Sequence, residues 1–353
     1  MLSIPIASYY SIKRFVLENL HSLKFEPLIN LISIKRVINL FNEGYFAMKI
    51  QHILVIMDPT IDEQPALSKA IEMAKRFDAS IELFLVVYHS GLAPKWFNQE
   101  HPQEHIISNY LKTKQRWLNT YLSQVARHNI SVSSEVRWNK PLYAEILKKI
   151  TECHADMVVK STHQHPVLDR LLFTPNDWQL LKCCPVPLLL AKLTTATTYK
   201  NVMAAVDLEK SEDERKELDD VILDCNVMMS EYFNAFAHVI HAYDPSGHEL
   251  WPGEHINVLG MDVPSYDYQG HQDNLKEQHE KEFDQLVAHY AFDENNIHFV
   301  QGIAANQLVD VVNDENIDLL IMGVRFHSGF VSSTAEKVLD QVNCDILAIK
   351  SSY

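Results

Sequence analysis

Aspartates stand at two matching places in this sequence, each directly after an apolar run typical of a buried strand. Asp58 follows the run 53–57, and Asp207 follows the run 202–206. In a doubly wound parallel sheet, ligands bind outside the carboxyl ends of the strands, where a carboxylate can accept hydrogen bonds from a base or a ribose. The same carboxylate can instead cap the turn that follows. The sequence leaves both roles open.

Polar and basic residues follow a later pair of apolar runs, which we predict to be the fourth strand of each half. The first half reads Val-Lys-Ser-Thr-His-Gln-His over 159–165, and the second reads Met-Gly-Val-Arg-Phe-His-Ser-Gly over 322–329. Strands one and four flank the switch point of such a sheet, so residues beyond them should line one cleft. The candidate ligand-binding residues are Asp58, Thr162, His163, Asp207, Gly323, Val324, Arg325, His327, Ser328, Ser333 and Thr334.

A pair of histidines and a pair of cysteines could form a metal or a redox site, but each has a simpler explanation. His163 and His165 could leave one side of an extended segment and hold zinc with a third ligand, but 18 histidines make such pairs common by chance. Cys183 and Cys184 could be a redox pair, yet adjacent cysteines bridge poorly and apolar neighbours indicate buried packing. No Ser–His–Asp order, metalloprotease helix or Walker loop is present. We therefore expect no catalytic residue and no bound metal.

These residues must be positioned by strands that alternate with helices, a pattern that predicts an α/β fold with parallel sheets. The plan occurs twice along the chain. The predicted strands cover 52–58, 80–88, 130–138, 156–162 and 186–192, then 201–207, 235–243, 297–301, 318–324 and 345–350. The predicted helices begin near Pro65 and cover 109–127, 142–153, 176–182, 211–230, 274–290, 307–313 and 334–342. Weak alternation over 130–138 favours an edge position for that strand.

Length and composition limit the class of protein. A chain of 353 residues is long enough for about two domains, and its net charge of -15 argues against nucleic acid as a partner. Five cysteines without CxxC spacing fit buried thiols in a reducing compartment. No apolar run approaches the ~20 residues that cross a bilayer. We expect a cytoplasmic protein with no nucleic-acid or membrane partner.

Two segments lack the alternation of strands and helices. Residues 1–47 precede Met48, and we favour translation from Met48; the alternative is an amphipathic segment on a membrane surface. The stretch 244–270 is rich in proline and glycine and contains His248 and Trp251. It is either a lid or binding surface, or a tolerated insertion.

Three marks together resemble the universal stress protein family, in particular its tandem-domain, E-type members. They are the aspartate after strand one, the Asp-apolar-apolar-apolar opening of strand four, and closing segments such as 334–339 followed by 344–350. The resemblance runs from about Met48 to the C terminus. It implies two tandem universal-stress-protein-like (adenine nucleotide alpha hydrolase-like) domains, each a five-stranded parallel sheet with helices on both faces.

The resemblance also predicts how the halves are arranged. We expect a leader at 1–47, a first domain at 48–193, a linker at 194–198 and a second domain at 199–353. We expect a flavodoxin-type strand order within each domain. In single-domain relatives the fifth strands meet across a dimer, and here they should meet within one chain.

ATP-binding members of the family carry glycines after strand four in the pattern G-x2-G-x9-G-[ST], which lets phosphates approach backbone N–H groups. The first half has no glycine at these positions. Its residues there are Ser161, Gln164, Thr174 and Pro175. The second half keeps Gly323 but has Phe326 at the second position and a shorter loop. A triphosphate cradle is therefore not expected in the first half, although the second could still hold a smaller anion.

We expect a stress-response protein that acts by ligand binding or protein interaction and not by catalysis. ATP is the one cofactor that the resemblance leaves open. One alternative is an ATP-binding stress protein with slow or no hydrolysis through the second domain. Another is a carrier or sensor of a small, partly apolar ligand. Protein partners or a homodimer fit each alternative.

Overall fold

A computed structural model of the chain describes residues 49–92, 102–165, 170–172, 174–192, 197–208, 212–245, 268–324, 326–327, 330–331 and 333–350. The predicted leader and most of the irregular stretch 244–270 lie outside these residues. Within them, no helix is long and apolar enough to cross a membrane.

Ten of the described strands form one continuous sheet, five from each half of the chain. The first half supplies β1 (His52–Ile56), β2 (Ser80–Val87), β3 (Val132–Trp138), β4 (Met157–Ser161) and β7 (Leu188–Ala191). The second half supplies β8 (Asn201–Ala205), β9 (Phe236–Tyr243), β10 (Ile297–Gln301), β11 (Leu319–Val324) and β14 (Asp345–Lys350). Two short hairpins stand outside the sheet: β5 (His163–His165) with β6 (Arg170–Leu172), and β12 (Phe326–His327) with β13 (Phe330–Val331).

The strand order across the sheet is β3-β2-β1-β4-β7-β14-β11-β8-β9-β10. Numbered within its half, each set of five runs 3-2-1-4-5, so the predicted flavodoxin-type order is wrong. The polar side chains of the third strand explain the difference, because the flavodoxin order would place this strand at the centre of the sheet. β3 reads Val-Ser-Ser-Glu-Val-Arg-Trp and is only partly buried, which suits the edge position that its weak alternation predicted. The switch points lie between β1 and β4 and between β8 and β11.

The described helices cover both faces of this sheet. They are α1 (Pro65–Phe77), α2 (Pro102–Ala126), α3 (Leu142–Cys153), α4 (Pro175–Cys183), α5 (Glu212–Phe233), α6 (Tyr268–Val287), α7 (Ala304–Asp314) and α8 (Ser333–Gln341). Side chains of α1, α2, α5 and α6 pack into a core on one face, and those of α3, α4, α7 and α8 into a core on the other. Each core runs through both halves. An α/β fold with helices on both faces was the prediction, and it is confirmed.

The two halves join through their fifth strands. β7 and β14 pair antiparallel, with Leu189 opposite Leu347 at the centre of three registered pairs. All other neighbours in the sheet are parallel. The expectation that the fifth strands meet within the chain is therefore confirmed.

A buried ion pair reinforces this joint. Asp345, at the start of β14, is fully buried, and its Oδ2 lies 2.8 Å from Nζ of Lys69 on α1. The same oxygen accepts a hydrogen bond of 2.8 Å from the hydroxyl of Tyr199, and Oδ1 accepts one of 2.8 Å from the backbone N–H of Lys192. Since a buried charge is stable only with such partners, these contacts tie α1 and the end of β7 to β14.

Candidate functional site

The candidate site of each half lies at the carboxyl ends of the parallel strands, beside the switch point. In the first half this edge carries Asp58 after β1 and Ser161 and Thr162 at the end of β4. In the second half it carries Asp207 after β8 and Gly323 in β11. The strand register makes these positions equivalent in the two halves. Ile53 of β1 is paired with Met157 of β4, as Val202 of β8 is paired with Leu319 of β11. Asp58 therefore corresponds to Asp207, and Ser161 corresponds to Gly323.

Asp58 organises the turn between β1 and α1. Its Oδ1 accepts hydrogen bonds from the backbone N–H of Thr60 at 2.9 Å and from the Thr60 hydroxyl at 2.5 Å. The side chain of Gln64 closes the same turn, since its Nε2 donates to the carbonyl of Asp58 at 2.7 Å. These contacts favour the capping role over the ligand-binding role for Asp58.

Ser161 and Thr162 turn their hydroxyls to the protein itself. Ser161 is 1% exposed, and its Oγ accepts a hydrogen bond of 3.2 Å from the backbone N–H of Ala66 in the first turn of α1. Thr162 is also buried, and its Oγ1 donates to the carbonyl of Ala191 at 3.3 Å. Both hydroxyls therefore contribute to packing between β4, α1 and β7.

The N-terminus of α4, where the family's glycine pattern ends, is occupied by the protein's own carboxylate. Asp177 and Thr174 form a capping box, in which Oδ2 of Asp177 accepts from the backbone N–H and the hydroxyl of Thr174, both at 2.8 Å. Oδ1 of Asp177 lies 2.8 Å from Nζ of Lys160 in β4. Helix N-termini attract anions, and here an internal anion with its own cation already fills that position.

Gly323 has a packing reason to be glycine. A Cβ at this position would lie 2.8 Å from Cδ2 of Leu218 and 3.3 Å from Cδ1 of Ile222, both on α5. In the first half the sizes are reversed, because the strand carries the larger residue, Ser161, and the helix carries the small Ala66. The packing of the Leu218 side chain over this position therefore accounts for a glycine here.

Asp207 differs from Asp58 because it is exposed. Its backbone N–H lies 3.5 Å from Oδ1 of Asp219, a buried residue of α5. Val324 is buried at the end of β11, and Thr334 is half-buried in the first turn of α8. Arg325 and Ser328 lie outside the described residues, and the structure describes only the backbone of His163, His327 and Ser333.

The sequence reasoning missed a pair of buried histidines near Asp207. His241 in β9 is 1% exposed, and its Nε2 lies 2.8 Å from Nδ1 of His279 on α6. Nδ1 of His241 lies 3.2 Å from the carbonyl of Val206, which can only accept. Burial lowers the pKa of His241 to about 4, so the ring is neutral: Nδ1–H donates to Val206, and Nε2 accepts from His279.

Aromatic side chains surround these two histidines. The His241 ring lies 5.1 Å from that of His279, and the Tyr243 and Phe299 rings stack at 4.9 Å. Register places Leu85 of β2 at the position equivalent to His241. A histidine between the apolar residues Ile240 and Ala242, where the first half has leucine, is the sequence signal that could have revealed this cluster.

Comparisons with known proteins agree on one family. The chain matches the model of the universal stress protein family twice, over residues 49–192 and 198–350. It is 28% identical over 308 residues to universal stress protein E of Photorhabdus laumondii, covering 85% of this chain and 95% of the relative. It is 25% identical over 305 residues to universal stress protein E of Escherichia coli, covering 85% and 94%. These relatives are named as stress proteins and not as enzymes.

Solved structures share the fold. A functionally unknown protein from Pseudomonas aeruginosa superimposes with a TM-score of 0.67 at 20% identity, covering 86% of this chain and 94% of that chain. A universal stress protein from Archaeoglobus fulgidus gives a TM-score of 0.59 at 13% identity, covering 87% and 100%. The tandem arrangement of two such domains is therefore common to all three chains.

Proposed function

This chain belongs to the universal stress protein family, and from that premise we propose that it acts in the stress response by binding a ligand or a protein partner and not by catalysis. The family supports the stress-response role. The way in which the chain acts is inferred from the contacts at the carboxyl edge of its sheet.

The observation that carries the proposal is the Lys160–Asp177 ion pair at the N-terminus of α4. A bound phosphate would have to displace the carboxylate of Asp177 from the capping box and take its place beside the ammonium of Lys160. The displaced carboxylate would lose its hydrogen bonds with Thr174 and its contact with Lys160, and a nucleotide would have to offset that loss before it gained affinity. The contacts of Asp177 therefore disfavour phosphate binding at the N-terminus of α4 in the first half.

Among the described residues, the second half offers less hindrance but few groups for catalysis. Gly323 is explained by its contact with Leu218, and not by a phosphate. The buried His241 donates to a carbonyl and accepts from His279, so its ring nitrogens are engaged within the protein. A general base needs a reachable lone pair, and His241 has none to offer.

A phosphate-release assay on the full chain with Mg·ATP tests this proposal. We expect release at the level of the protein-free blank. Release above the blank that falls in Asp207→Asn, but not in the matched variant Asp58→Asn of the first half, would contradict it.

A second candidate function is ATP binding through the second half, with slow or no hydrolysis. The exposure of Asp207 at the end of β8 favours it, since the equivalent Asp58 is only partly exposed. A third candidate is carriage or sensing of a small, partly apolar ligand, favoured by the aromatic cluster of Tyr243, Phe283 and Phe299 beside this edge. Native mass spectrometry of freshly purified protein separates them, because a copurified ligand adds a definite mass.

We further propose a cytoplasmic location and protein partners or a homodimer, with no nucleic-acid or membrane partner. The net charge of -15 supports this, because it repels phosphate-rich surfaces. Light scattering with size-exclusion chromatography gives the oligomeric state directly, and retention of the protein by anionic vesicles or DNA would refute the excluded partners.

A further inference from the structure

Two histidines and a glutamate come together at the opposite, amino-terminal edge of the second half. His238 of β9 and His298 of β10 lie on the same face of the sheet, because His298 is registered with Ile240, two residues beyond His238. Nδ1 of His238 lies 3.2 Å from Nε2 of His298, and the rings are parallel within 5°. Glu315, directly after α7, brings a carboxylate oxygen, so that one ligand atom from each residue lies within 4.8 Å of the others.

This donor set and its spacing suit a transition metal. Two ligand atoms on a tetrahedral zinc, each at ~2.0–2.1 Å, are about 3.4 Å apart, close to the 3.2 Å between the two imidazole nitrogens. Two histidines and a carboxylate leave a fourth position for water, as zinc sites with three protein ligands do. The two imidazoles favour zinc or another transition metal over magnesium or calcium, which prefer oxygen ligands. The cluster is also largely shielded from water, since His238 is only 4% exposed.

At the equivalent place in the first half, a lysine supplies a positive charge between two strand residues. Register makes Glu82 equivalent to His238, because Glu82 is paired with Leu54 of β1 as His238 is paired with Met203 of β8. Glu135 is equivalent to His298 in the same way, through Phe84 and Ile240. The two acidic side chains are not left to repel each other. Nζ of Lys149 on α3 lies 2.6 Å from Glu82 and 2.7 Å from Glu135.

The second half lacks this lysine. α3 ends one residue before the left-handed His154, and α7 ends two residues before the left-handed Asn316. Aligning these two left-handed positions makes Val311 the counterpart of Lys149 and Glu315 the counterpart of Cys153. A cation therefore stands between the strand residues of the first half, whereas its counterpart in the second half is an uncharged valine. His52, Glu82 and Cys153 also have a metal-like spacing, but Lys149 already supplies the positive charge there.

We propose that His238, His298 and Glu315 bind a divalent transition metal of the zinc type. The metal takes the place that Lys149 has in the first half, and it fastens β9, β10 and the end of α7 to one another. The site lies at the edge of the sheet away from Asp207 and Gly323, so it does not depend on the function proposed for that cleft.

Titration of the full-length, metal-free protein with Co²⁺, followed by competition with Zn²⁺, tests the site. We expect one Co²⁺ per chain with the visible absorption of nitrogen–oxygen coordination, displaced by one Zn²⁺. His298→Gln and Glu315→Gln should each weaken binding by roughly tenfold or more, since even removing a residue that only orients a ligand costs that much.

Two matched variants separate this site from adventitious binding. His289→Gln changes an exposed histidine just beyond α6, and His52→Gln disrupts the metal-like group of the first half; both should bind as the unaltered protein does. Circular dichroism of metal-free protein establishes that each variant is folded, and if His298→Gln is not, Glu315→Gln on its half-exposed turn decides. Absence of stoichiometric binding, or affinity unchanged in the folded ligand variants, would overturn the proposal.

Discussion

Replacing Lys69 by methionine should weaken the whole molecule, because it removes the cation that faces a buried charge across the joint. Lys69 is 2% exposed and Asp345 is fully buried, with 2.8 Å between Nζ and Oδ2. Methionine has similar length and stays apolar, so the core around α1 keeps its volume. The carboxylate of Asp345 then depends on the hydroxyl of Tyr199 and the backbone N–H of Lys192.

The expected loss is about 3–5 kcal/mol, the cost of removing one partner from a buried ion pair. The two hydrogen bonds that remain on Asp345 place the expectation for Lys69→Met near the lower end of that range. A loss of this size is a large part of a domain's stability of about 5–15 kcal/mol. Because both cores run through both halves, it should appear in one common transition and not in the first half alone.

Urea denaturation measures this loss, followed in parallel by tryptophan fluorescence and by circular dichroism. Four of the five tryptophans lie in the first half, so fluorescence reports mainly on that half, whereas circular dichroism reports on all helices. Lys75→Met, on the same helix, is the matched control. Lys75 is 38% exposed and lies 3.6 Å from Glu72, so its replacement should cost about 0.5 kcal/mol or less. The reasoning is refuted if Lys69→Met is as stable as Lys75→Met.

Three further predictions concern packing, titration and reactivity. Gly323→Ala should destabilise the protein by about 1–3 kcal/mol in urea denaturation, and combining it with Leu218→Ala should reduce that additional cost. If Gly323→Ala is as stable as the unaltered protein, the packing explanation is wrong. Burial lowers the pKa of His241 to about 4 in the folded state, against ~6.5 in the unfolded chain. The free energy of unfolding should therefore fall by up to about 3 kcal/mol as the pH drops from 6.5 to 4. His241→Leu should make this pH dependence shallower, and an unchanged dependence in the variant would contradict the prediction. Burial raises the thiol pKa of Cys184 to about 11 and of Cys344 to about 12, so both should resist iodoacetamide at pH 8 until urea unfolds the chain, and rapid alkylation of the native protein would refute their burial.

The elements of the fold were predictable wherever local periodicity determines them. The helix predicted over 142–153 is observed as Leu142–Cys153, because Ile146 and Ile150 repeat on one buried face and His154 ends the helix in a left-handed conformation. α2 begins at Pro102, earlier than its apolar pattern indicated, since a proline at the first position starts a helix without an apolar face. The hairpins of β5 with β6 and β12 with β13 were missed because strands this short show no alternation.

Strand order and the contacts of the site could not be read from periodicity. The flavodoxin-type order was wrong although the polar character of β3 already argued against a central position. Lys160 meets Asp177 only because α4 returns beside the end of β4, and His241 meets His279 only because α6 packs on β9. The contact that Gly323 makes with the side chain of Leu218 becomes visible only when α5 is placed.

We propose that this chain does not use ATP as its ligand, because Lys160 and Asp177 occupy the N-terminus of α4 in the first half and Gly323 packs against Leu218 in the second. Isothermal titration of the full-length protein with Mg·ATP tests it most directly. We predict no stoichiometric site, with any affinity weaker than a Kd of about 1 mM. A single site with a Kd of about 10 μM or tighter, lost in Asp207→Asn and kept in Asp58→Asn, would contradict the account.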